Sequence, residues 1–373
     1  MGVRRLRLKI VLLLASIGVA LLVGEIVLRV LKPLSLGLEH QPAIYQHDPD
    51  IGFRYKPNAT GWIGRHFEID NQVIINSRGF HDTEHDLSTG MPRVVVVGDS
   101  FTAGLHVPIP DTWTQVLQSR LRATREPSIH VINLGLDGTG TDVHLAILKE
   151  NLGDLCPNVV IVAFYEDDIA DLQLCQVYRE LHRGYVLAYQ TPEQPAKMRA
   201  LVDEALGRRA SLWWYRRLYL ARLAMNWGNC RLFQTNFVTP LHLGERALLR
   251  PAYGAGRSPD ALFKAFVDLS KQHGFKLLVV PVPAKHDLEA SRKTLRQHAR
   301  AGNLTVVDVA PMVRASLAKD GKAYHDMFWR HDGHLNAYGH RVFGLATTAT
   351  VSDRLALRRP AARAGNDPPD GSD

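Results

Sequence analysis

Five short apolar runs, rich in β-branched residues, recur along the second part of the chain. They are residues 93–97, 129–134, 158–164, 275–281 and 304–309. The sequences between most of these runs have helical patterns. Continuous apolar strands that alternate with helices are typical of a parallel sheet buried on both faces, with right-handed crossovers. The pattern therefore predicts an α/β fold of three layers, doubly wound around a five-stranded parallel sheet.

A segment without charged residues, 10–23, lies near the start of the chain, and Glu25 separates it from the apolar residues 26–28. A membrane-spanning helix needs about 20 predominantly apolar residues, a length that is reached if the helix begins near Leu8 and tolerates Glu25 at the interface. No convincing small-residue cleavage site follows, so residues 1–31 are interpreted as an uncleaved signal anchor rather than a cleaved signal peptide. The alternative is an amphipathic or buried helix of a soluble protein.

Positive charges precede this segment at Arg4, Arg5, Arg7 and Lys9. Positively charged flanks stay on the cytoplasmic side of a membrane. We therefore expect a single-pass protein of a bacterial inner membrane, with its N-terminus in the cytoplasm and the remainder of the chain in the periplasm.

The predicted domain of alternating strands and helices covers residues 91–355. Segments of different composition precede it, interrupt it and follow it. Residues 32–90 are rich in turn residues and are predicted to form a lead-in segment that packs on the main domain. Residues 172–256 are predicted to be a helical insertion, because residues 212–227 have a helical pattern. Residues 356–373 are poor in apolar residues and are expected to form a disordered tail.

The predicted insertion is basic, since residues 201–255 contain eight arginines against three acidic residues. One interpretation is a lid over a site, or a face that rests on anionic lipid head groups. The alternative, which we prefer slightly, is an insertion whose aromatic residues pack on the core while its arginines stay solvated.

Composition fits a globular protein and narrows its partners. The 373 residues are 46% hydrophobic and 22% charged, as expected for a packed core. The formal net charge is +8, but no basic run is interleaved with a nucleic-acid-binding motif, so nucleic acid is not an expected partner. Three cysteines, Cys156, Cys175 and Cys230, are too few for a disulfide framework and match no zinc spacing. A bridge between Cys175 and Cys230 stays open.

The first predicted strand runs into a serine, in the sequence VVVVGDSFTAG at residues 94–104. In open parallel sheets, ligands bind at the carboxyl ends of the strands, where Ser100 falls. Gly98 permits a tight exit, and a helix that begins here leaves backbone N–H groups to face a ligand. Ser100 is therefore a candidate nucleophile if a base lies near. The alternative is that Ser100 or Asp99 only caps the next helix.

A candidate base lies far along the chain, in FWRHDGHLNAYGHRVFG at residues 328–344. A serine nucleophile needs an imidazole to take its proton and a carboxylate to fix the imidazole tautomer. Asp332 can fold back to the ring of His334, with Gly333 giving the turn its freedom. The alternative is a helix start with Asp332 as N-cap and His334 in the first turn, and both interpretations can hold together.

A glycine-containing loop follows the second predicted strand, in VINLGLDGTGTD at residues 131–142. Gly138 and Gly140 fit a loop whose backbone approaches a ligand closely. The N–H of Gly138 could then donate to an oxyanion beside the N–H of Ser100. The alternative is an ordinary turn from strand to helix.

In order and content these segments resemble the four blocks of the SGNH/GDSL hydrolase superfamily, over roughly residues 75–350. GDSFTAG resembles the first block, with Ser100 as nucleophile, and NLGLDGTG the second, with Gly138 as the oxyanion glycine. HDGHLNAYGH resembles the last and gives Asp332 and His334. The anchored lead-in and the Asp-x-His spacing resemble the extracytoplasmic branch that includes alginate O-acetylation proteins. The resemblance implies a flavodoxin-like SGNH fold, chemistry on acyl esters and no cofactor.

The third block departs from the superfamily, where Gly-Asn-Asp supplies an asparagine amide to the oxyanion. Here FYEDDIAD places Glu166, Asp167 and Asp168 at the matching positions. Loss of one oxyanion donor costs about 2.7–4 kcal/mol, and an ionised Asp167 would add repulsion. A protonated Asp167 could still donate, Asp167 could point away, or the site could bind without turnover. No His or Cys accompanies the acids at ligand spacing, so no metal is expected.

Two hypotheses follow from these residues. The first is a serine esterase or O-acyltransferase that acts on an ester-bearing small molecule, an acylated carbohydrate or an envelope polymer. The second is a membrane-tethered, catalytically weak accessory protein that binds a glycan or a partner protein through the same crevice. Asp167 is the feature that favours the second.

Overall fold

The computed structural model describes residues 2–31, 44–48, 50–65, 68–88, 90–169, 178–182, 185–189, 217–228, 258–302 and 304–352, with single residues at 196, 199, 200 and 203. The chain divides into two compact units. The first comprises Met1–Phe53, Gly61–Gln72 and Val177–Ala252, and the second Arg54–Thr60, Val73–Gln176 and Tyr253–Asp373. Cys175, Cys230, the predicted tail and most of the predicted insertion lie outside the described residues.

The described helices and strands follow one another in a fixed order. They are α1 Gly2–Leu31, β1 Tyr45–Asp48, β2 Gly52–Tyr55, β3 Thr60–Arg65, β4 Ile69–Ile74, β5 Arg93–Val97, α2 Ser100–Ala103, α3 Trp113–Thr124, β6 His130–Asn133, α4 Thr141–Leu155, β7 Val159–Phe164, β8 Tyr178–His182, β9 Tyr185–Tyr189, α5 Tyr219–Gly228, α6 Pro259–His273, β10 Lys276–Pro281, α7 Ala290–Gly302, α8 Ala310–Asp320 and α9 Ala337–Val351. Short 3₁₀ segments lie at Ile109–Asp111, Glu166–Asp168 and Tyr324–Met327.

A four-stranded parallel sheet forms the centre of the second unit, in the order β10-β7-β5-β6. If β5, β6, β7 and β10 are numbered 1 to 4, the order across the sheet from β6 to β10 is 2-1-3-4. This is the start of the flavodoxin-like order. The α/β, doubly wound prediction is thereby confirmed. The strand order reverses between β5 and β7, and ligands of such sheets bind outside the carboxyl ends of the strands at that point.

The fifth predicted strand, residues 304–309, contributes only one isolated bridge, between Val306 and Val279. The five-stranded expectation is therefore wrong by one strand. The reason is local: a carboxylate oxygen of Asp308 accepts the N–H of Ala310 at 3.1 Å, so the chain turns into α8 before a ladder can form.

Apolar side chains cover the sheet on both faces, as its uninterrupted valines require. All five residues of β5 are buried. Val94 and Val96 belong to a core cluster that includes Trp113 of α3 and Phe343 of α9. Elsewhere in the unit, Phe164 at the end of β7 packs against a phenylalanine of α6, with ring centroids 5.9 Å apart.

Among the described residues, one helix is long and apolar enough to cross a membrane, at Arg4–Leu31 within α1 of the first unit. Its large apolar side chains, such as Leu12 and Leu22, are more than half exposed, and a hydrocarbon environment would cover them. In the same unit β8 and β9 pair as an antiparallel hairpin. Helix α5 overlaps residues 212–227, which the sequence predicts to be helical.

Candidate active site

Ser100 is the first residue of α2 and lies just beyond the carboxyl end of β5. Asp99 caps this helix, because its side chain accepts the N–H of Phe101 at 3.0 Å. Asp99 therefore caps the helix, while the half-buried side chain of Ser100 is left to other partners. The N–H of Ser100 lies in the first turn, where backbone donors have no carbonyl partner within the helix.

Asn133 and Gly135 fix the backbone of α2 from the neighbouring strand β6. The Asn133 amide donates to the carbonyl of Thr102 at 2.8 Å, and its side-chain oxygen accepts the N–H of Gly135 at 2.9 Å. A Cβ atom at Gly135 would lie 2.3 Å from the backbone nitrogen of Ala103, so no larger residue fits there without displacing α2. These supporting roles were not predicted, although an asparagine inside an apolar strand was a visible signal.

Ser100, His334 and Asp332 meet at the carboxyl edge of the sheet. Nε2 of His334 lies 2.7 Å from Oγ of Ser100. Nδ1 of the same ring is hydrogen-bonded to Oδ1 of Asp332, which also accepts the backbone N–H of His334 at 2.9 Å. Since a carboxylate only accepts, Nδ1 carries the proton and Nε2 is left to accept from the Ser100 hydroxyl.

The segment that carries Asp332 and His334 is a closed loop rather than the start of a helix. Phe328 and Leu335 form an antiparallel bridge that closes this loop. Helix α9 begins only at Ala337, with Asn336 as its N-cap, so the alternative of a helix start at Asp332 is wrong. The side chain of Asp332 bonds the imidazole and the N–H of His334 within the loop.

Lys285, which sequence reasoning did not single out, occupies the inside of this loop. Its ammonium group donates to the carbonyls of Trp329 at 2.7 Å, Arg330 at 2.8 Å and Asp332 at 3.0 Å. Hydrogen bonds from a charged donor are stronger than neutral ones. One side chain from the segment that follows β10 thus fixes the backbone on which the imidazole and its carboxylate depend.

Two aromatic side chains lie against the His334 ring. His106 stacks on it, with centroids 4.0 Å apart and planes at 21°, and Phe101 lies at 5.0 Å. His106, Asp332 and His334 have potential ligand atoms within 4.8 Å of one another. Stacked imidazoles direct their nitrogen lone pairs along parallel planes, and both His334 nitrogens already have hydrogen-bond partners. The geometry therefore favours ring positioning over metal coordination.

Gly138 and Asp167 lie beyond the ends of β6 and β7, the two strands that flank β5. Gly138 has a φ of 64°, a left-handed conformation that glycine adopts without strain, as the loop interpretation requires. Gly333, in contrast, is not among the positive-φ glycines, so the turn between Asp332 and His334 does not depend on glycine.

The acidic segment at the end of β7 is a 3₁₀ turn, Glu166–Asp168, in which only Asp168 is buried. An oxygen of Asp168 accepts the backbone N–H of Tyr165 at 3.1 Å, while the side chain of Asp167 is exposed. Burial raises the pKa of Glu166, opposed by His286 at 3.3 Å. The three adjacent acids thus have different surroundings. Asp168 is buried, Glu166 contacts His286 and Asp167 is exposed.

Tyr165 connects this acidic turn to the helix that carries Ser100. Its ring lies 4.5 Å from that of Phe101, centroid to centroid. Burial, and next the charge of Asp167, raises the pKa of the Tyr165 phenol, so the hydroxyl keeps its proton at neutral pH.

No family model and no curated protein matches the sequence. Among solved structures, the chain is similar to the lipase/acylhydrolase from Enterococcus faecalis, with 16% identity over 73% of this chain and 100% of that chain, and a TM-score of 0.37. It is also similar to a catalytic mutant of an acetylxylan esterase from Geobacillus stearothermophilus, with 14% identity over 73% of this chain and 97% of that chain, and a TM-score of 0.37.

A third similar structure is a member of the lipolytic protein G-D-S-L family from Veillonella parvula, with 12% identity over 70% of this chain and 98% of that chain, and a TM-score of 0.32. These identities and TM-scores carry no information about the substrate of this chain. By their descriptions, these three structures are a lipase/acylhydrolase, an acetylxylan esterase and a lipolytic protein of the G-D-S-L family.

Proposed function

We propose that the protein is an ester hydrolase or O-acyltransferase with Ser100 as nucleophile, His334 as general base and Asp332 as the carboxylate that orients it. The single observation that carries this proposal is the 2.7 Å contact between Ser100 Oγ and His334 Nε2, with Asp332 on the opposite ring nitrogen. Nucleophile, base and orienting carboxylate in this geometry are the requirements of acyl transfer through a serine.

The proposed reaction begins when His334 Nε2 removes the proton of the Ser100 hydroxyl as Oγ attacks the acyl carbon. The negative charge develops on the carbonyl oxygen, toward which the N–H groups of Ser100 and Gly138 donate. Collapse of the tetrahedral intermediate breaks the bond to the alcohol, which takes the proton from His334. Water or a sugar hydroxyl then attacks the acyl-Ser100 ester, with His334 again as base.

For the acceptor and the compartment, we propose an acylated carbohydrate or envelope polymer outside the cytoplasm, reached by a protein anchored in the inner membrane. The positive residues before the apolar helix favour a cytoplasmic N-terminus. This arrangement resembles the membrane-anchored extracytoplasmic branch of the superfamily.

The test combines a covalent probe with turnover. We expect the detergent-solubilised full chain to react with a fluorophosphonate and to hydrolyse p-nitrophenyl acetate. Ser100→Ala should abolish labelling, and Ser100→Ala and His334→Ala should each lower kcat/KM by about 10³-fold or more. Ser88→Ala is the matched control, because Ser88 is an exposed serine whose hydroxyl donates to Asp86. Equal labelling of wild type and Ser100→Ala would refute the proposal.

A second candidate function is a weakly catalytic binding protein, and the observation that favours it is Asp167 in place of an asparagine donor. The two candidates differ in the result for Asp167→Asn. If Asp167 faces the oxyanion, the amide should raise kcat/KM by about tenfold, less than a buried donor contributes because the side chain is exposed. Absence of turnover in both wild type and Asp167→Asn would favour the binding protein.

A further inference from the structure

Glu25 interrupts the apolar surface of α1 near its carboxyl end, yet its side chain is buried within the first unit. Its two carboxylate oxygens accept the backbone N–H groups of Tyr219 at 3.1 Å and Leu220 at 2.9 Å. Arg29, one turn further along α1, donates to the same carboxylate at 2.8 Å. The carboxylate is therefore fully engaged by this chain.

The two N–H groups belong to the first turn of α5, Tyr219–Gly228. First-turn N–H groups have no carbonyl partner within their own helix, and the positive end of the helix dipole attracts an anion. Glu25 thus caps a helix about 190 residues away in the sequence. Arg29 adds a second connection, since its guanidinium donates to the carbonyl of Arg217 at 2.5 Å.

A small residue of α1, Gly24, contacts α5 at the same point. A Cβ atom at Gly24 would lie 3.5 Å from the side chain of Leu220. Small residues allow such approaches between helices in membranes, and charged residues in membrane-spanning helices occur paired with other groups of the protein. The contact therefore has the two features expected of an interface formed at a bilayer.

We infer that α5 lies at the membrane, held against the outer end of the anchor by Glu25, with Leu223 of α5 and Leu218, which precedes it, in contact with lipid. The inference rests on the proposed anchor. Because α5 packs on Gly24 and Glu25, it lies at the same depth in the membrane as that part of α1. Leu218 and Leu223 are 38% and 45% exposed. Arg29 and Arg217, beside the same contact, are placed to meet anionic head groups.

The exposed apolar side chains Leu218 and Leu223 are thus covered by the lipid interface. The continuity of α5 with the apolar surface of α1 argues for it, since the large apolar side chains of that helix are exposed over most of its length. A hydrocarbon layer that covers α1 also covers leucines that pack beside it.

The experiment places an environment-sensitive NBD fluorophore on a cysteine at Leu223→Cys, in a full-length background with the three native cysteines replaced by serine. The protein is reconstituted into phosphatidylethanolamine–phosphatidylglycerol vesicles, with and without lipids brominated on their acyl chains. The reference label is at Ala123→Cys, an exposed position of α3 in the second unit. We expect at least twofold stronger bromine quenching at position 223 than at position 123.

The matched variant is Glu25→Leu, which removes the capping carboxylate while making the anchor more apolar. In this variant the chain should remain in the carbonate-washed membrane pellet, and quenching at position 223 should fall toward the reference value. Equal quenching at the two positions in a pelleted wild-type chain overturns the inference, and unchanged quenching in Glu25→Leu overturns the role of Glu25. A wild-type chain found in the soluble fraction overturns the anchor itself.

Discussion

Two aspartate–histidine pairs lie close to α2. They differ in the group that contacts the histidine nitrogen not bonded to the aspartate. In the first, His334 is bonded to Asp332 and approaches Ser100, and its side chain is 20% exposed. In the second, Nε2 of His85 is bonded to Asp82 at 2.8 Å, while its Nδ1 lies 3.1 Å from Nδ1 of His130 and the side chain is 4% exposed.

The surroundings of the two carboxylates differ as well. Asp82 also accepts the side-chain amide of Gln115 at 2.7 Å and the N–H of Asn133 at 2.8 Å, so it connects three separate parts of the second unit. The side chain of Asp332 bonds the ring and the backbone N–H of His334, within its own loop. The comparison teaches that an Asp–His pair indicates chemistry only when its far nitrogen reaches a hydroxyl that a substrate can approach.

The sharpest way to break this comparison is Asp332→Asn. The amide keeps the shape but favours the wrong imidazole tautomer, because its NH₂ group donates to Nδ1 and leaves Nε2 protonated. We expect kcat for p-nitrophenyl acetate to fall about 10³–10⁴-fold, with the free energy of unfolding changed by less than about 1 kcal/mol. A fall of less than tenfold would show that the pair does not act as the base.

Lys285→Met should have the next largest effect on activity, since it removes the ammonium group that fixes the loop of Asp332 and His334. A displacement of the ring by about 1 Å costs on the order of 10²-fold in rate. We expect kcat to fall about 10–10²-fold with little change in KM, and Lys285→Arg to restore part of the loss.

The control for Lys285 is Lys293→Met, which removes an exposed lysine paired with Asp287 at 2.6 Å. It should leave kcat within about twofold of wild type. If both variants lose stability equally and kcat is unchanged in each, Lys285 has no positioning role.

Asp82→Ala should show the opposite profile to Asp332→Asn. It strands buried donors on His85, Gln115 and Asn133, and each such group costs about 1–3 kcal/mol. Chemical unfolding should therefore require markedly less denaturant, whereas the protein that remains folded should still be labelled at Ser100. Selective loss of labelling without loss of stability would mean that the second pair takes part in the chemistry.

Acid should destabilise the second unit through its buried histidines. Burial, followed by the charge of His85, lowers the pKa of His130 below its ordinary value of 6.5, and burial lowers that of His144 and His340 to about 3. Below pH 6.5 the unfolded chain binds protons that these folded residues do not, so the free energy of unfolding falls as the pH falls.

The slope is up to about 1.4 kcal/mol per pH unit for each such histidine. Denaturant midpoints measured between about pH 7 and pH 4 check it. His340→Gln, which keeps an acceptor for the N–H of Trp113, should reduce the slope. A flat profile would contradict the burial of these rings.

The strands along the chain and the position of Ser100 could be predicted from the sequence because both are local consequences of pattern. Buried runs such as 93–97 and 158–164 have to be strands within a covered sheet, and Ser100 follows the first of them directly. Asp332 and His334 were predicted as a pair because one residue separates them. Gly138 was predicted to donate to an oxyanion from a loop, and its φ of 64° is compatible with that loop and with an ordinary turn alike.

The tertiary structure alone decided which distant groups support these residues. A single bridge at Val306 replaced a fifth strand, because the chain turns at Asp308, whose carboxylate accepts the N–H of Ala310. Lys285 lies in no sequence motif. Its role is visible only in the structure, where three backbone carbonyls of a distant loop accept hydrogen bonds from its ammonium group. Sequence spacing reports contacts within a turn or a helix, whereas contacts between distant segments arise from the packing of the whole core.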